Sequence, residues 1–278
     1  MRLGRRNLLP LIAAGATFST ILATQVRAAG LDAIMRDKKF RVGYINAPPG
    51  ARKDPNTGEV GGLYVDAVQL ILAQINVEPV WVETTWANFV AALQADQFDM
   101  CIAGTFATVS RATAVEFVKP ICYLGMSAIV KADDKRFSKL TDLNREGITM
   151  AAVLGDAAVE FARQNFPKAK LVTLATSNLA APFVEVSAGR ADVGIEDAYQ
   201  AMHYAESHPE VKNLFGAQPF NVMPIAWTIK RGNVELLNFM NTAIDWLLVN
   251  DRFSKVAEKY GNTGRYIMHP DFVPLGSG

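Results

Sequence analysis

Cysteine is nearly missing from this chain: only Cys101 and Cys122 occur among 278 residues. Two cysteines are not a disulfide framework, so the fold must rest on a hydrophobic core. Histidine is scarce as well. His203, His208 and His269 have no ligand-like spacing, so neither a metal site nor a cofactor is expected. Beyond the first thirty residues no apolar run is long enough to cross a membrane. No block of basic residues is present and the formal net charge is only +1, which argues against nucleic acid as a partner. A nucleophile elbow and a phosphate-binding loop are also lacking, and with them the commonest signs of catalysis. What the chain does have is apolar content: 50% of its residues are hydrophobic, enough for a sizeable core.

The N-terminus reads as an export signal over residues 1–28. Arg2, Arg5 and Arg6 make a basic start, Leu8 to Ile21 is mildly apolar, and Val26-Arg27-Ala28 resembles a cleavage site. The Arg5-Arg6 pair fits the twin-arginine route as well as an ordinary secretory signal. Loss of Arg2, Arg5, Arg6 and Arg27 would move the formal charge from +1 to −3, because no acidic residue precedes Asp32. Export would permit a disulfide between Cys101 and Cys122, although Cys101 lies in a strand that reads as buried. The remaining chain of about 250 residues suits one large domain or two small ones.

Hydrophobic periodicity gives two α/β series. In the first, Phe40 to Ile45 is a strand, Leu63 to Ile75 a helix, Pro79 to Glu83 a strand and Trp86 to Ala95 a helix capped by Thr85. Met100 to Ala103 is the next strand, ended by Gly104; Thr105, Phe106, Ala107 and Thr108 form a loop, Arg111 begins a short helical turn, and Val115 to Val118 returns as a strand. In open α/β sheets ligands bind just beyond the carboxyl ends of strands. An arginine there can clamp a carboxylate with two parallel hydrogen bonds. Equally, Arg111 could be a surface residue paired with Glu116 or capping a helix. Tyr123 to Lys131 is extended and reads as a crossing. The second series has strands Ile148 to Val153, Lys170 to Leu174 and Asp192 to Glu196. Its helices are Ala157 to Phe166 behind Asp156, Ser177 to Ala188 with Pro182 confined to the first turn, and Ala198 to Glu206 behind Asp197. Asn221 to Lys230 is a return crossing, and two amphipathic helices close the fold.

Several ordered patterns then coincide: FRVGYI, the turn Gly61-Gly62-Leu63-Tyr64-Val65-Asp66, Trp86 to Leu93, FDMCIAG with the arginine and VEFVKP, the turn Leu154-Gly155-Asp156, Ala188-Gly189-Arg190-Ala191-Asp192 and KVAEKYG. Together they resemble the periplasmic solute-binding proteins of the polar amino-acid ABC importer family, over residues 38–261. The resemblance implies an α/β fold of the type II periplasmic-binding-protein kind: two lobes with mostly parallel sheets and flanking helices, joined by a two-strand hinge that closes on a ligand. Lobe 1 would comprise residues 31–125 plus 222–278, and lobe 2 residues 126–221.

The resemblance also implies roles. Arg111 would hold a ligand carboxylate, Asp197 an α-ammonium, and Gly104 and its neighbour Thr105 would face the ligand. Phe106 stands where the family usually has Ser or Thr. Asp156 stands where a hydroxyl usually helps with the carboxylate, and an aspartate there would repel it or attract a cation. The loop Ala47-Pro48-Pro49-Gly50 lacks the family's stacking aromatic, a face that Trp86 and Phe106 are candidates to supply. An apolar or aromatic body is suggested by Phe106 and Trp86, and a cationic group by Asp156 and Glu196. The expected function is ligand capture in the periplasm by a monomer that delivers an amino acid or related carboxylate to an inner-membrane ABC permease. The alternatives are a cyclohexadienyl dehydratase-like enzyme, in which Asp156, Glu196 or Asp197 would donate a proton, and a sensor that presents its ligand to a receptor.

Overall fold

The computed structural model describes residues 30–261, apart from 217 and 250. The export signal at 1–28 and the tail beyond 261 lie outside the described residues. After a short helix α1 (Leu31–Asp37), the first series runs β1 (Lys39–Ile45), the hairpin β2 (Arg52–Lys53) and β3 (Val60–Gly61), α2 (Leu63–Ala73), β4 (Glu78–Thr84), α3 (Phe89–Gln94), β5 (Met100–Phe106), α4 (Val109–Ala112) and β6 (Val115–Phe117). A long strand β7 (Cys122–Lys131) leads into β8 (Thr149–Val153), α5 (Ala157–Asn165), β9 (Lys170–Leu174), α6 (Ala181–Ser187), β10 (Val193–Asp197), α7 (Ala198–Ser207) and β11 (Val211–Asn213). The chain returns through β12 (Phe220–Lys230) and ends in α8 (Val234–Val249) and α9 (Arg252–Glu258).

Apart from β2 and β3, which pair with each other, the strands form one hydrogen-bonded sheet in the order β4-β1-β5-β12-β7-β10-β8-β9, with β6 beside β12 and β11 beside β7. Its two ends are parallel, β4-β1-β5 and β10-β8-β9, as crossover helices require. Its centre is antiparallel, because β12 pairs with both β5 and β7, and β7 with β10. The two mostly parallel halves that the resemblance implies are joined through the two crossing segments, which also hydrogen-bond to each other. Strand β12 slips register between Ala226 and Thr228 against β5, and again between Phe220 and Met223 against β7. Such slips bend a strand, and these lie where the two parallel ends diverge.

Three boundaries differ from expectation in ways that bear on the site. The predicted loop at Gly104, Thr105 and Phe106 is strand: Thr105 pairs with Ala226 and Phe106 with Ile225. The helix expected from Trp86 begins only at Phe89, which leaves Trp86 in a turn without a side-chain cap from Thr85. The helix expected from Ser177 begins at Ala181, with Pro182 in its first turn where its missing N–H has no partner to lose.

Apolar residues from both series share one core that includes Phe40, Met100, Trp227, Met150 and Ile195. A second cluster packs Trp86, Phe89, Phe98 and Cys101 with Val153 of the other series. The buried Asp99 is held by Arg41, whose Nη2 lies 2.6 Å from Oδ1. Cys101 and Cys122 are both free thiols, each buried, and burial pushes each thiol's pKa up to about 12. Both therefore stay protonated and unreactive near neutrality.

Candidate functional site

A cavity of about 80 Å³ lies between the carboxyl ends of β1 and β5 on one side and the start of α7 on the other. This is where the polarity of parallel strands gathers loops. Of the sequence-predicted residues, Trp86, Gly104 and Asp197 line it. Arg111, Thr105, Phe106 and Asp156 do not. Pairing with β12 draws Thr105 and Phe106 into the sheet: Thr105 is fully buried, its hydroxyl donating to the Ala103 carbonyl at 3.0 Å, and Phe106 joins the main core. Gly104 has a packing reason of its own. A Cβ there would lie 2.5 Å from the Tyr64 hydroxyl oxygen, so its absence lets the Tyr64 ring pack against β5.

Asp197 ends β10 and caps α7, its Oδ1 accepting from the Gln200 N–H at 2.8 Å. Burial raises its pKa to about 7, helped by the negative charge of Asp156 and opposed by the Gln200 N–H bond. Glu196 is the preceding residue on the same strand, so its side chain leaves the opposite face. It is 1% exposed, and one oxygen accepts the Asp197 N–H. Burial raises its pKa well above the usual range, with Asp156 and Asp197 adding to the effect. Neutral Glu196 can donate to Asp156. Asp156 caps α5 through the Ala158 N–H at 2.7 Å, the role its position predicts.

Arg111 stands at the seam between the two series. Its Nη1 donates to the Phe106 carbonyl at 3.1 Å and its Nη2 to the Gly155 carbonyl at 2.7 Å. The guanidinium carbon lies 5.7 Å from the Phe89 ring centroid. Burial lowers its pKa, while Asp156, Glu160 and Glu196 raise it. Neither the Glu116 pairing nor a simple helix cap describes it: the side chain reaches a carbonyl 44 positions along the chain.

Two further bonds cross the same gap. The Thr108 hydroxyl reaches Glu160 at 3.5 Å, and the Gln200 side-chain amide donates to the Pro48 carbonyl at 3.0 Å. Gln200, Tyr199 and Leu179 line the cavity, and sequence reasoning missed all three. The signal for the first two was present: they occupy the first turn of a helix that starts at a strand's carboxyl end. If the Gln200 bond holds the gap closed, Gln200→Ala should raise the ligand dissociation rate about five-fold, the effect of one ordinary hydrogen bond. Stopped-flow intrinsic fluorescence would read it, with an unchanged association rate.

Comparison with known proteins accords with this geometry. Residues 40–263 match the bacterial extracellular solute-binding proteins, family 3. The chain therefore belongs to that family, with the type II periplasmic-binding-protein fold. It is 26% identical over 208 residues to the cyclohexadienyl dehydratase of Pseudomonas aeruginosa, covering 74% of this chain and 77% of that one. It is 22% identical over 245 residues to the L-arginine-binding protein of the same species, covering 86% of this chain and 93% of that one. The crystal structure of AncCDT-1, an ancestral amino acid-binding protein and precursor of cyclohexadienyl dehydratase, superposes with a TM-score of 0.75 at 31% identity, covering 84% of this chain and 99% of that one. Among the described residues no helix is long and apolar enough to cross a membrane.

Proposed function

We propose that this protein is the periplasmic binding component of an ABC importer, that it captures an amino acid or closely related carboxylate, and that it hands the ligand to a membrane permease as a monomer. The observation that carries this reading is Asp197: a buried carboxylate at the cavity wall, facing Trp86 and Gly104 from the opposite series. It is suited to an α-ammonium. The residues that line the cavity come from two segments, 45–124 with Ile225, and 179–200. This supports lobes of 31–125 plus 222–278 and 126–221, with β7 and β12 as the hinge strands between them. Arg111, already at the seam, would meet the ligand carboxylate by exchanging its bond to the Gly155 carbonyl for one to the ligand.

Calorimetry against the common amino acids tests the reading, and Arg111→Ala should weaken the best of them by at least about ten-fold, as loss of a charge-assisted bond does. Unchanged affinity would leave Arg111 a latch between the two series and nothing more.

A second reading is favoured by the likeness to the dehydratase and by the raised pKa of Asp197, which suits a proton donor near neutral pH. The binding reading fits at least as well, and we propose that the chain is not an enzyme. Incubation with prephenate or arogenate decides: formation of phenylpyruvate or phenylalanine would favour catalysis.

A further inference from the structure

We infer that the ligand's side chain is uncharged and predominantly apolar, an inference that rests on the amino-acid reading of the same cavity. The sequence leaves two options open, an apolar body or a cationic group held by Asp156 and Glu196. The cavity wall separates them. Asp197 is the one charged residue that lines it among the described residues, and the ligand's ammonium takes that carboxylate. Asp156 and Glu196 are absent from the wall. Asp156 is 6% exposed and turned into the cap of α5, while Glu196 lies on the far face of β10. A cationic side chain therefore has no second carboxylate to meet.

An anionic side chain fares no better, because no lysine or arginine lines the cavity among the described residues and Arg111 at the seam is already assigned to the α-carboxylate. The neutral polar groups are largely engaged. The Tyr64 hydroxyl bonds the Cys122 thiol, and the Gln200 amide is turned to Pro48. Apart from Tyr199, the rest of the wall is largely hydrocarbon: Ile45, Pro48, Leu63, Leu124, Leu179 and Ile225 surround the space, with the Trp86 ring at one side. Burying an unpaired charge against such a wall is costly, whereas burying hydrocarbon there is favourable. The selective residues are thus the aliphatic ones, above all Leu179, which comes from the loop before α6 and packs beside Trp86.

Calorimetry of the full mature chain at pH 8 with L-leucine, L-methionine, L-phenylalanine, L-arginine, L-lysine and L-glutamate tests this. One of the three apolar ligands should bind tightest, with the charged three at least about 100-fold weaker. A charged amino acid that binds as tightly as the best apolar one would overturn this inference and leave the amino-acid reading standing. Binding of none of the six would overturn both. Leu179→Asp sets a charge against the apolar wall and is expected to lower the melting temperature, so circular dichroism first checks that the variant is folded. It should shift preference toward L-arginine and L-lysine by about ten-fold through a new ion pair in a desolvated site. A folded Leu179→Asp protein with unaltered preference would show that this wall is not the side-chain compartment.

Discussion

Asp197→Asn is expected to lower affinity for an amino-acid ligand by at least about 100-fold, because it removes the charge that meets the ammonium in a desolvated site. The wild-type protein should also carry a pH signature that the variant lacks. Burial raises Asp197 from an ordinary 3.8 to about 7, so in the empty protein it is largely protonated below neutrality. The ammonium is held by the ionised form. Affinity should therefore be highest above about pH 7 and fall roughly ten-fold per unit below it. The stability of the empty protein runs the other way. A carboxylate whose folded-state pKa is raised contributes in full below its unfolded value, and that contribution is lost as pH rises through about 7. Ligand binding should thus raise the melting temperature more at pH 8 than at pH 6. The other charges near Asp197 are Glu196 beside it on β10, Asp156 at the start of α5, and Arg111 and Glu160 around the seam. Burial also raises the pKa of Glu196, so the comparison with Asp197→Asn is what assigns a step near pH 7 to Asp197. Calorimetric titrations of wild type and Asp197→Asn between pH 5.5 and pH 8.5, in steps of about half a unit, read this directly. A wild-type profile as flat as the variant's would remove Asp197 from the role of ammonium partner.

The second large effect concerns closure. Gly155 adopts φ +87°, and a Cβ there would lie 2.4 Å from the Trp86 carbonyl oxygen and 2.6 Å from the Ala87 nitrogen. Those atoms belong to the opposite series, and backbone cannot yield as a flexible side chain can. Gly155→Val should therefore hold the α5 end of the gap away from residues 86 and 87 and keep the two series from closing over the ligand. We expect ligand affinity to drop at least about ten-fold, chiefly through faster dissociation, with a larger radius of gyration in the presence of ligand. Backbone strain alone contributes about 1–2 kcal/mol at a left-handed position. Gly189→Val is the matched control: φ is +71° and nothing stands within 4 Å of its Cβ position, so it carries the strain without the collision. Should both variants lose stability alike and keep wild-type affinity and scattering, close apposition at Gly155 would be irrelevant to binding.

The elements that local chemistry specifies were readable in the chain. Asp156 and Asp197 were assigned as helix caps from their position before apolar-periodic runs, and both side chains accept backbone N–H groups there. Strands such as β8 and β10 announce themselves as short apolar runs, and Pro182 could sit only in a first turn. The loop error has a tertiary cause. Gly104, Thr105 and Phe106 look like a loop because Gly and Thr favour turns, yet their backbone groups pair with β12, some 120 residues later, and long-range pairing overrides local preference.

Sequence by itself determined the alternation of strands and helices, the family, the caps and the scarcity of thiol and imidazole chemistry. Each of these depends on neighbours a few residues apart or on the ordered series of motifs. Tertiary structure alone decided that the two crossing strands β7 and β12 pair with each other, and that Gln200 and Leu179 reach the cavity. It also decided that of two adjacent acids only Asp197 faces the cavity. Those outcomes depend on which residues meet across the seam and on which side of a strand each one leaves. Neither is encoded locally: a shift of one residue in register would exchange Glu196 for Asp197.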